Sequence, residues 1–218
     1  MDLQQTIFIL EIIGTIAFAV SGAMVGIVKK MDLLGVCVLG VVTSVGGGTI
    51  RDIILGILPP NVFRNSVYAM VALATSCIVF FTLYIKKSLV NIINTKTYEI
   101  IMRLMDAVGL GIFTVVGVNT GFRYGYYDNL FLLVFLGTIT GVGGGLLRDI
   151  MAGVPPYIFV RHVYASASII GALICALLYK SLGVIPSMVI SAGMVVLIRN
   201  LAAHYHWNLP KVNLDDDE

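Results

Sequence analysis

Charged residues are scarce in this sequence. Asp, Glu, Lys and Arg make up 12% of the 218 residues, and the mean hydropathy is +0.97. A soluble domain carries about 25% charged residues, so a water-soluble fold is excluded. At about 20 apolar residues for each membrane crossing, the chain has room for about seven crossings and none for a soluble enzyme domain. The sequence therefore predicts a single polytopic, all-α membrane domain over residues 1–218 that is not an enzyme.

The patterns of several kinds of site are also missing. The net charge is only +2 and the basic residues are spread along the chain, which argues against a nucleic-acid partner. Cys37, Cys77 and Cys175 lie singly in apolar runs, without the C-x-x-C spacing of metal or redox sites. We interpret them as small hydrophobic residues. No nucleophile, base and orienting residue occur together within the spans, so we predict no catalytic residue, no metal and no cofactor.

Long apolar runs predict seven transmembrane helices. They cover residues of about 7–28, 33–57, 63–85, 105–122, 130–153, 158–179 and 184–201. Because the number is odd, the two termini lie on opposite faces of the membrane. The basic residues on the side of the C-terminus are Lys29, Lys30, Lys86, Lys87, Lys96, Arg103, Arg199 and Lys211, against Arg123 and Lys180 on the other side. The positive-inside rule thus predicts an outside N-terminus and a cytoplasmic C-terminus.

The two halves of the sequence repeat each other. A pattern of one acidic residue, Gly, Phe, Gly and Gly at fixed spacing runs from Glu11 to Gly26 and recurs 95 residues later from Asp106 to Gly121. Gly-Gly-Gly-x-x-Arg-Asp-Ile begins at Gly46 and recurs 97 residues later at Gly143, and a proline pair follows each copy. Chance does not plausibly produce such ordered blocks at one spacing.

Each copy contains three spans, so the second copy enters the membrane from the opposite side. The sequence predicts a 3+3 inverted repeat, with copies at residues 5–87 and 100–180. A seventh helix at 184–201 and a short polar tail at 202–218 follow. In proteins with inverted repeats, the functional site lies near the midplane between interrupted helices of the two halves. The second and fifth spans are therefore the expected site.

The glycine triplets are expected to interrupt these two spans. Each glycine costs a helix about 1 kcal/mol relative to alanine, and a freed carbonyl group in hydrocarbon must line a protein or aqueous cavity. Carbonyl oxygens are ligands for K⁺ and Na⁺. The alternative is that the triplets only let helices approach closely. The predicted ion path consists of the triplets and neighbouring hydroxyl residues: Gly46, Gly47, Gly48, Gly143, Gly144, Gly145, Thr43, Ser44, Thr138 and Thr140.

Charged residues within spans form a second candidate group, because a charge in a membrane is costly enough to suggest a function. Adjacent helical residues point about 100° apart, so Arg51 and Asp52 are not expected to face each other, nor are Arg148 and Asp149. Both aspartates could instead face an ion. The inverted topology predicts that Glu11 pairs with Arg51 or Arg64, and Asp106 with Arg148 or Arg161. Whether these charges gate the path or only brace the helices is left open.

The seven spans, the inverted repeat and the doubled G-G-G-x-x-R-D motif resemble the prokaryotic branch of the trimeric intracellular cation (TRIC) channels. The resemblance covers nearly the whole chain. It implies a homotrimer in a prokaryotic plasma membrane, in which each subunit has its own pore lined by the kinked second and fifth helices. It also implies conduction of monovalent cations, K⁺ before Na⁺. The K-E-V sequence that animal members carry in the second span is missing here, so regulation by calcium or lipid is not implied.

Two other functions remain open at this point. Inverted repeats and half-helix N-termini also suit a secondary transporter of a small zwitterion such as glycine. A scaffold without transport would leave the paired glycine triplets unexplained. A passive cation channel accounts for the triplets and for their hydroxyl neighbours.

Overall fold

The computed structural model describes residues 3–85, 96–160, 163–205 and 207, and within these residues it is helical, without a strand. Seven helices in this part of the chain are long and apolar enough to cross a membrane, as predicted. Two short helices lie between them. The helices are α1 (Leu3–Val28), α2 (Leu33–Ile54), α3 (Asn61–Arg64), α4 (Val67–Ile85), α5 (Lys96–Arg123), α6 (Leu130–Met151), α7 (Tyr157–Val160), α8 (Ala165–Leu182) and α9 (Val184–His204).

The second helix of each half begins and ends in the same way. An N-cap carboxylate or amide accepts a backbone N–H: Asp32 from Gly35 at 2.7 Å, and Asn129 from Leu132 at 3.0 Å. Each helix ends before a glycine of positive φ, at +70° for Gly56 and +64° for Gly153. Such glycines end helices because they have no Cβ to clash. The prolines beyond them prevent the helix from continuing.

Some predicted bounds were wrong. The third and sixth spans begin at Val67 and Ala165 rather than near residues 63 and 158, because the short helices α3 and α7 occupy the preceding segments. The fourth span begins at Lys96 rather than near residue 105. Its first turns contain Lys, Tyr and Glu, which are compatible with helix but interrupt the apolar run from which spans were predicted.

The two halves pack as equivalent three-helix units. In the first, α1 packs on α2 and α4; in the second, α5 packs on α6 and α8. Gly22 of α1 and Gly117 of α5 occupy matching contacts: a Cβ on Gly22 would lie 2.8 Å from the Cα of Gly40, and one on Gly117 would lie 2.8 Å from the Cα of Gly137. Glycine at these positions allows the close approach of α1 to α2 and of α5 to α6.

The α2 and α6 helices pack against each other where the two halves meet. The chain therefore forms a 3+3 inverted repeat with a seventh helix, as predicted. The seventh helix, α9, packs on α5 and α8 of the second half. Within the described residues no equivalent helix packs on α1 and α4 of the first half, so α9 makes the two halves unequal.

Candidate functional site

The glycine triplets do not interrupt their helices. Both α2 and α6 are continuous α-helix through Gly46 to Gly48 and Gly143 to Gly145, so the prediction of glycine-broken helices was wrong. A glycine weakens a helix but does not prevent its hydrogen bonds, and tertiary packing readily outweighs the local cost. The middle glycines of the triplets, Gly47 and Gly144, allow the close packing of helices that was considered as the alternative.

The middle glycine of each triplet lies at the crossing of α2 and α6. A Cβ on Gly47 would be 2.1 Å from the carbonyl oxygen of Thr140, and a Cβ on Gly144 would be 2.0 Å from the carbonyl oxygen of Thr43. The two contacts are related by the inverted repeat. Each threonine carbonyl thus faces the backbone of the opposite helix, and the crossing is closed at this level.

The hydroxyl residues of the predicted path have different environments. Thr43 and Thr140 donate to the carbonyl oxygens of Leu39 and Leu136, each at 2.6 Å. Such bonds satisfy a buried hydroxyl within its own helix. Thr138 has a buried Oγ1 without a hydrogen-bond partner in the described part of the chain. Of the ten predicted path residues, Ser44 and Gly48 line a cavity described below.

The Arg51 and Asp52 side chains face each other, contrary to the expectation from helix geometry. Arg51 Nε and Nη2 donate to Asp52 Oδ1 at 2.9 and 2.7 Å, and Asp52 Oδ2 accepts the backbone N–H of Asn61 at 2.8 Å. The expectation considered the directions of the Cβ atoms and neglected the length of the arginine side chain, which can fold back to its neighbour. The Asp52 carboxylate therefore joins the end of α2 to the start of α3.

The same arrangement is present in the second half. Arg148 Nε donates to Asp149 Oδ1 at 2.8 Å, and Asp149 Oδ2 accepts the backbone N–H of Tyr157 at 2.8 Å. Asp149 thus joins the end of α6 to the start of α7. The carboxylates of Asp52 and Asp149 are engaged by protein donors, which argues against the suggestion that they face an ion.

Glu11 does not form the predicted ion pair. Its carboxylate accepts a short hydrogen bond from the Tyr68 hydroxyl, and neither Arg51 nor Arg64 lies within ion-pair distance. Arg64 is exposed and donates to the carbonyl oxygen of Leu58 at 2.8 Å. Both arginines instead donate to acceptors close to them in the chain: Arg51 to the Asp52 carboxylate, and Arg64 to the Leu58 carbonyl oxygen.

Asp106 forms one of the two pairs predicted for it. Its Oδ1 lies 2.6 Å from Nη1 of Arg148, and both side chains are fully buried. The same nitrogen donates to Ser21 Oγ at 2.5 Å, which ties the second half to α1. The other predicted partner, Arg161, lies outside the described residues.

Arg199 was missed as a site residue, because the sequence analysis counted it among the loop and terminal cations. It lies on α9, is buried, and has Nη2 3.6 Å from Asp106 Oδ2. Its guanidinium carbon lies 4.5 Å from the centre of the Tyr164 ring, a cation–π contact. Because Arg199 lies near the end of an apolar run, the sequence could have placed it within the seventh span. The sequence could not have identified Asp106 as its partner.

Two cavities lead toward the α2–α6 crossing. The first, the Arg51 cavity, has a volume of about 280 Å³ and is lined by the start of α1, the end of α2, the start of α4 and the end of α5. The second, the Arg199 cavity, has a volume of about 410 Å³ and is lined by the end of α1, the start of α5, the end of α6 and the end of α9. Because α1 lines both with opposite ends, the cavities open toward opposite faces of the protein.

Along α1, Glu11 and Val25 line the two cavities. They are separated by about 20 Å at the helical rise of about 1.5 Å per residue. Ser44 and Gly48 of α2 line the Arg51 cavity, whereas Asp149 of α6 lines the Arg199 cavity. Because Ser44 and Gly48 flank Gly47 on α2, the Arg51 cavity reaches the level of the Gly47–Gly144 crossing, whereas Asp149 lies about 7.5 Å along α6 beyond Gly144, at the helical rise of about 1.5 Å per residue.

The family model that matches this chain, described as glycine transporter, covers residues 8–84 and 103–180, once for each half. A relative in Escherichia coli, the UPF0126 inner membrane protein YadS, is 37% identical over 213 residues, which are 97% of this chain and 98% of that protein. The chain belongs to the TRIC family. The Bacillus subtilis UPF0126 membrane protein YvgT is 34% identical over 93% of this chain and 94% of its own length.

Solved structures of TRIC channels have the same fold. A prokaryotic TRIC channel crystallised in 0.5 M KCl is 30% identical and superposes with a TM-score of 0.82, over 95% of this chain and all of that one (100%). The trimeric intracellular cation channel orthologue from Rhodobacter sphaeroides is 28% identical, with a TM-score of 0.82 over 93% of this chain and 99% of that one. The chain is therefore an integral membrane protein with the TRIC channel fold.

Proposed function

We propose that this protein is a channel for monovalent cations, K⁺ before Na⁺, with a pore in each subunit between α2 and α6. The observation that carries the proposal is the pair of cavities at opposite ends of α1, of which the Arg51 cavity reaches the α2–α6 crossing and the Arg199 cavity reaches the end of α6. Where water enters such cavities from both faces, only a short section of the membrane is left to cross, which lowers the cost of moving an ion. The solved relatives described as TRIC cation channels support this function.

The preference for K⁺ follows from the chemistry of the crossing. The groups available there are the hydroxyls and carbonyls of Thr43 and Thr140 and the polar atoms of Ser44. These are neutral oxygen ligands, which replace part of the hydration shell of a cation. K⁺ gives up its water more readily than Na⁺, so a path with few such ligands favours K⁺.

In this structure the path is closed, because Gly47 and Gly144 bring the two helices into backbone contact. Opening requires α2 and α6 to separate at this crossing. We propose that the two Arg–Asp pairs brace the helix ends about which this separation takes place. With each guanidinium bound to a carboxylate, the positive charges of Arg51 and Arg148 are compensated and do not repel cations from the cavities.

We propose a homotrimer in a prokaryotic plasma membrane, with the N-terminus outside and the C-terminus in the cytoplasm. The assembly is supported by the name of the Rhodobacter sphaeroides orthologue, and the location by that of the Escherichia coli relative. Mass measurement of the purified protein in detergent tests the trimer. Labelling of single cysteines placed in the loop at Asp128 and in the C-terminal tail with a membrane-impermeant thiol reagent, in a variant without native cysteines, tests the orientation.

The channel proposal is tested with the purified protein in planar bilayers and in liposomes. We expect unitary currents that reverse at the K⁺ equilibrium potential when a K⁺ gradient is applied, and smaller currents in Na⁺. Liposomes supplied with labelled glycine on the outside provide the contrasting measurement. Accumulation of glycine against its gradient, without ionic current, would establish a transporter and refute the channel.

The pore position is tested by a substitution in the cavity wall. Gly48 faces the Arg51 cavity, and the nearest atom to a Cβ placed there is Arg51 Nη2 at 3.7 Å, so Gly48→Leu projects a large apolar side chain into the proposed path. We expect K⁺ flux to fall while the protein remains trimeric. The matched control is Gly193→Leu on α9, where a Cβ would meet nothing within 4 Å. Equal flux in both variants would place the path elsewhere.

A further inference from the structure

Two cysteine thiols meet away from the proposed ion path. Cys37 on α2 and Cys77 on α4 have their Sγ atoms 3.5 Å apart. Cys37 is buried and Cys77 is half-buried. From the sequence, both are interpreted as isolated small hydrophobic residues, because they lie 40 positions apart in different apolar runs.

The contact results from a close crossing of α2 and α4. A Cβ on Gly40 would lie 2.0 Å from Ser76 Oγ, so these two helices approach each other closely at this point. Cys37 lies on the same face of α2 as Gly40, three residues earlier, and Cys77 follows Ser76 on α4. The thiols therefore face each other one turn from the close contact between Gly40 and the Ser76 side chain.

This geometry is close to that of a disulfide. An S–S bond is about 2.05 Å long, so the sulfur atoms must approach by about 1.5 Å, a change that small rotations about the two χ1 angles can supply. Cys175, the remaining cysteine, is on α8 and serves as an internal reference. The described residues place it on the opposite half of the molecule from the pair.

We propose that Cys37 and Cys77 form a reversible disulfide that fixes α4 to α2 when the membrane is exposed to a peroxide. The less buried Cys77 reacts first: its sulfur takes one oxygen from hydrogen peroxide, forming a sulfenic acid and releasing water. The Cys37 sulfur then attacks the Cys77 sulfur, the S–O bond breaks, and a second water leaves. Two thiols and one hydrogen peroxide thus give one disulfide and two waters, and a dithiol reductant reverses the reaction by exchange.

A consequence for transport rests on the proposed channel function. The α4 helix supplies Tyr68, whose hydroxyl bonds to Glu11 in the wall of the Arg51 cavity, and α2 forms one side of the α2–α6 crossing. A covalent link between α4 and α2 removes freedom from α2, the helix that must move for the path to open. Oxidation is therefore expected to lower K⁺ flux, and reduction to restore it.

The disulfide itself is tested by counting thiols. The full-length protein in liposomes is treated with hydrogen peroxide, denatured in detergent and labelled with a maleimide polymer that shifts its gel mobility once per free thiol. We expect three labels before oxidation and one after it, with the remaining label on Cys175. Peptide mass analysis should show Cys37 joined to Cys77 in one chain. Three labels after oxidation, or links only between chains, would overturn the proposal.

Matched single variants complete the test. Cys175→Ser should lose both of its labels on oxidation, whereas Cys37→Ser and Cys77→Ser should form no intrachain link. In K⁺ flux assays, oxidised wild type should lose flux several-fold and regain it with dithiothreitol, while Cys37→Ser should be insensitive. A complete disulfide with unchanged flux would refute the tethering of α2. Absence of flux in the reduced wild type would instead count against the channel, while the thiol count would still decide the disulfide.

Discussion

The two halves of this protein carry equivalent charge clusters in different surroundings. In the first, Arg51 has one carboxylate partner and borders an open cavity, and Glu11 bonds to Tyr68 rather than to a cation. In the second, Arg148 bonds to Asp106, Asp149 and Ser21, and both Arg148 and Asp106 are fully buried. The first half has a single Arg–Asp pair, whereas the second has a network of bonds around the fully buried Arg148.

The seventh helix accounts for much of this difference. It adds Arg199 to the second cluster and packs on α5 and α8, so that the second cluster has two cations and two carboxylates. A buried network of this kind is costly to disrupt, because removal of one member leaves a charge without a partner in a region of low dielectric constant. We infer that the helices of the first half are displaced more easily than those of the second half, which the charge network holds together.

The largest expected effect comes from removing the central guanidinium of each half. Arg148→Met leaves the buried Asp149 without its cation and Asp106 with only the 3.6 Å contact to Arg199, and should lower the free energy of unfolding by about 3–5 kcal/mol. Arg51→Met should cost less, since Asp52 is the one carboxylate paired with Arg51, whereas Arg148 also pairs with the fully buried Asp106. Thermal unfolding of both variants in detergent checks the difference. Equal losses would show that the two clusters are equally important for stability.

A smaller effect is expected at the glycine crossing, where the halves should respond alike. Gly47→Ala and Gly144→Ala each place a Cβ about 2 Å from a carbonyl oxygen and should each cost about 1–3 kcal/mol through overpacking. Gly48→Ala is the matched control, because its Cβ would lie 3.7 Å from the nearest atom. It should be neutral, or stabilising by up to about 1 kcal/mol through helix propensity. If Gly47→Ala were as stable as Gly48→Ala, α2 and α6 would not be in backbone contact.

A smaller loss of stability is expected from removing Arg199, which the seventh helix adds to the second charge cluster. Arg199→Met removes the ion pair with Asp106 and the contact with the Tyr164 ring, and should lower the free energy of unfolding by about 1–2 kcal/mol. The unfolding temperature of this variant should fall. The loss of stability is smaller than for Arg148→Met because Arg199 lies 3.6 Å from the Asp106 carboxylate, whereas Arg148 lies 2.6 Å from it. Arg64→Met, at an exposed arginine, should leave the unfolding temperature unchanged. A stable Arg199→Met variant would mean that α9 does not rigidify the second half.

The smallest effect is expected from removing the tyrosine hydroxyls, and here the substitution in the first half should cost more stability than the one in the second half. The Tyr68 hydroxyl makes a short bond to Glu11, whereas the Tyr164 hydroxyl lies 3.5 Å from Asp106 Oδ1, beyond the usual range for such bonds. Tyr68→Phe should therefore cost about 1 kcal/mol or somewhat more, and Tyr164→Phe less than that. Chemical denaturation of the two variants measures the difference. A larger loss for Tyr164→Phe would show that its hydroxyl bonds more strongly than its distance indicates.

Much of the fold could be predicted from the sequence. The seven apolar runs predicted seven spans, because a membrane selects helices by length and hydropathy alone. The doubled acidic, glycine and Arg–Asp motifs predicted the inverted repeat, and the inverted topology predicted that Asp106 meets Arg148. These inferences depend on periodicity and chain direction, which are properties of the sequence itself.

Only the tertiary structure decided what the glycines and charges do. A glycine triplet can break a helix or let another helix approach, and the choice depends on whether a backbone such as that of Thr140 lies opposite. Likewise, Arg148 can reach several carboxylates, and the presence of Arg199 beside Asp106 follows from how α9 packs on α5. Propensity and hydropathy act along the chain, whereas close packing and ion pairing depend on distances between helices, which only the folded arrangement determines.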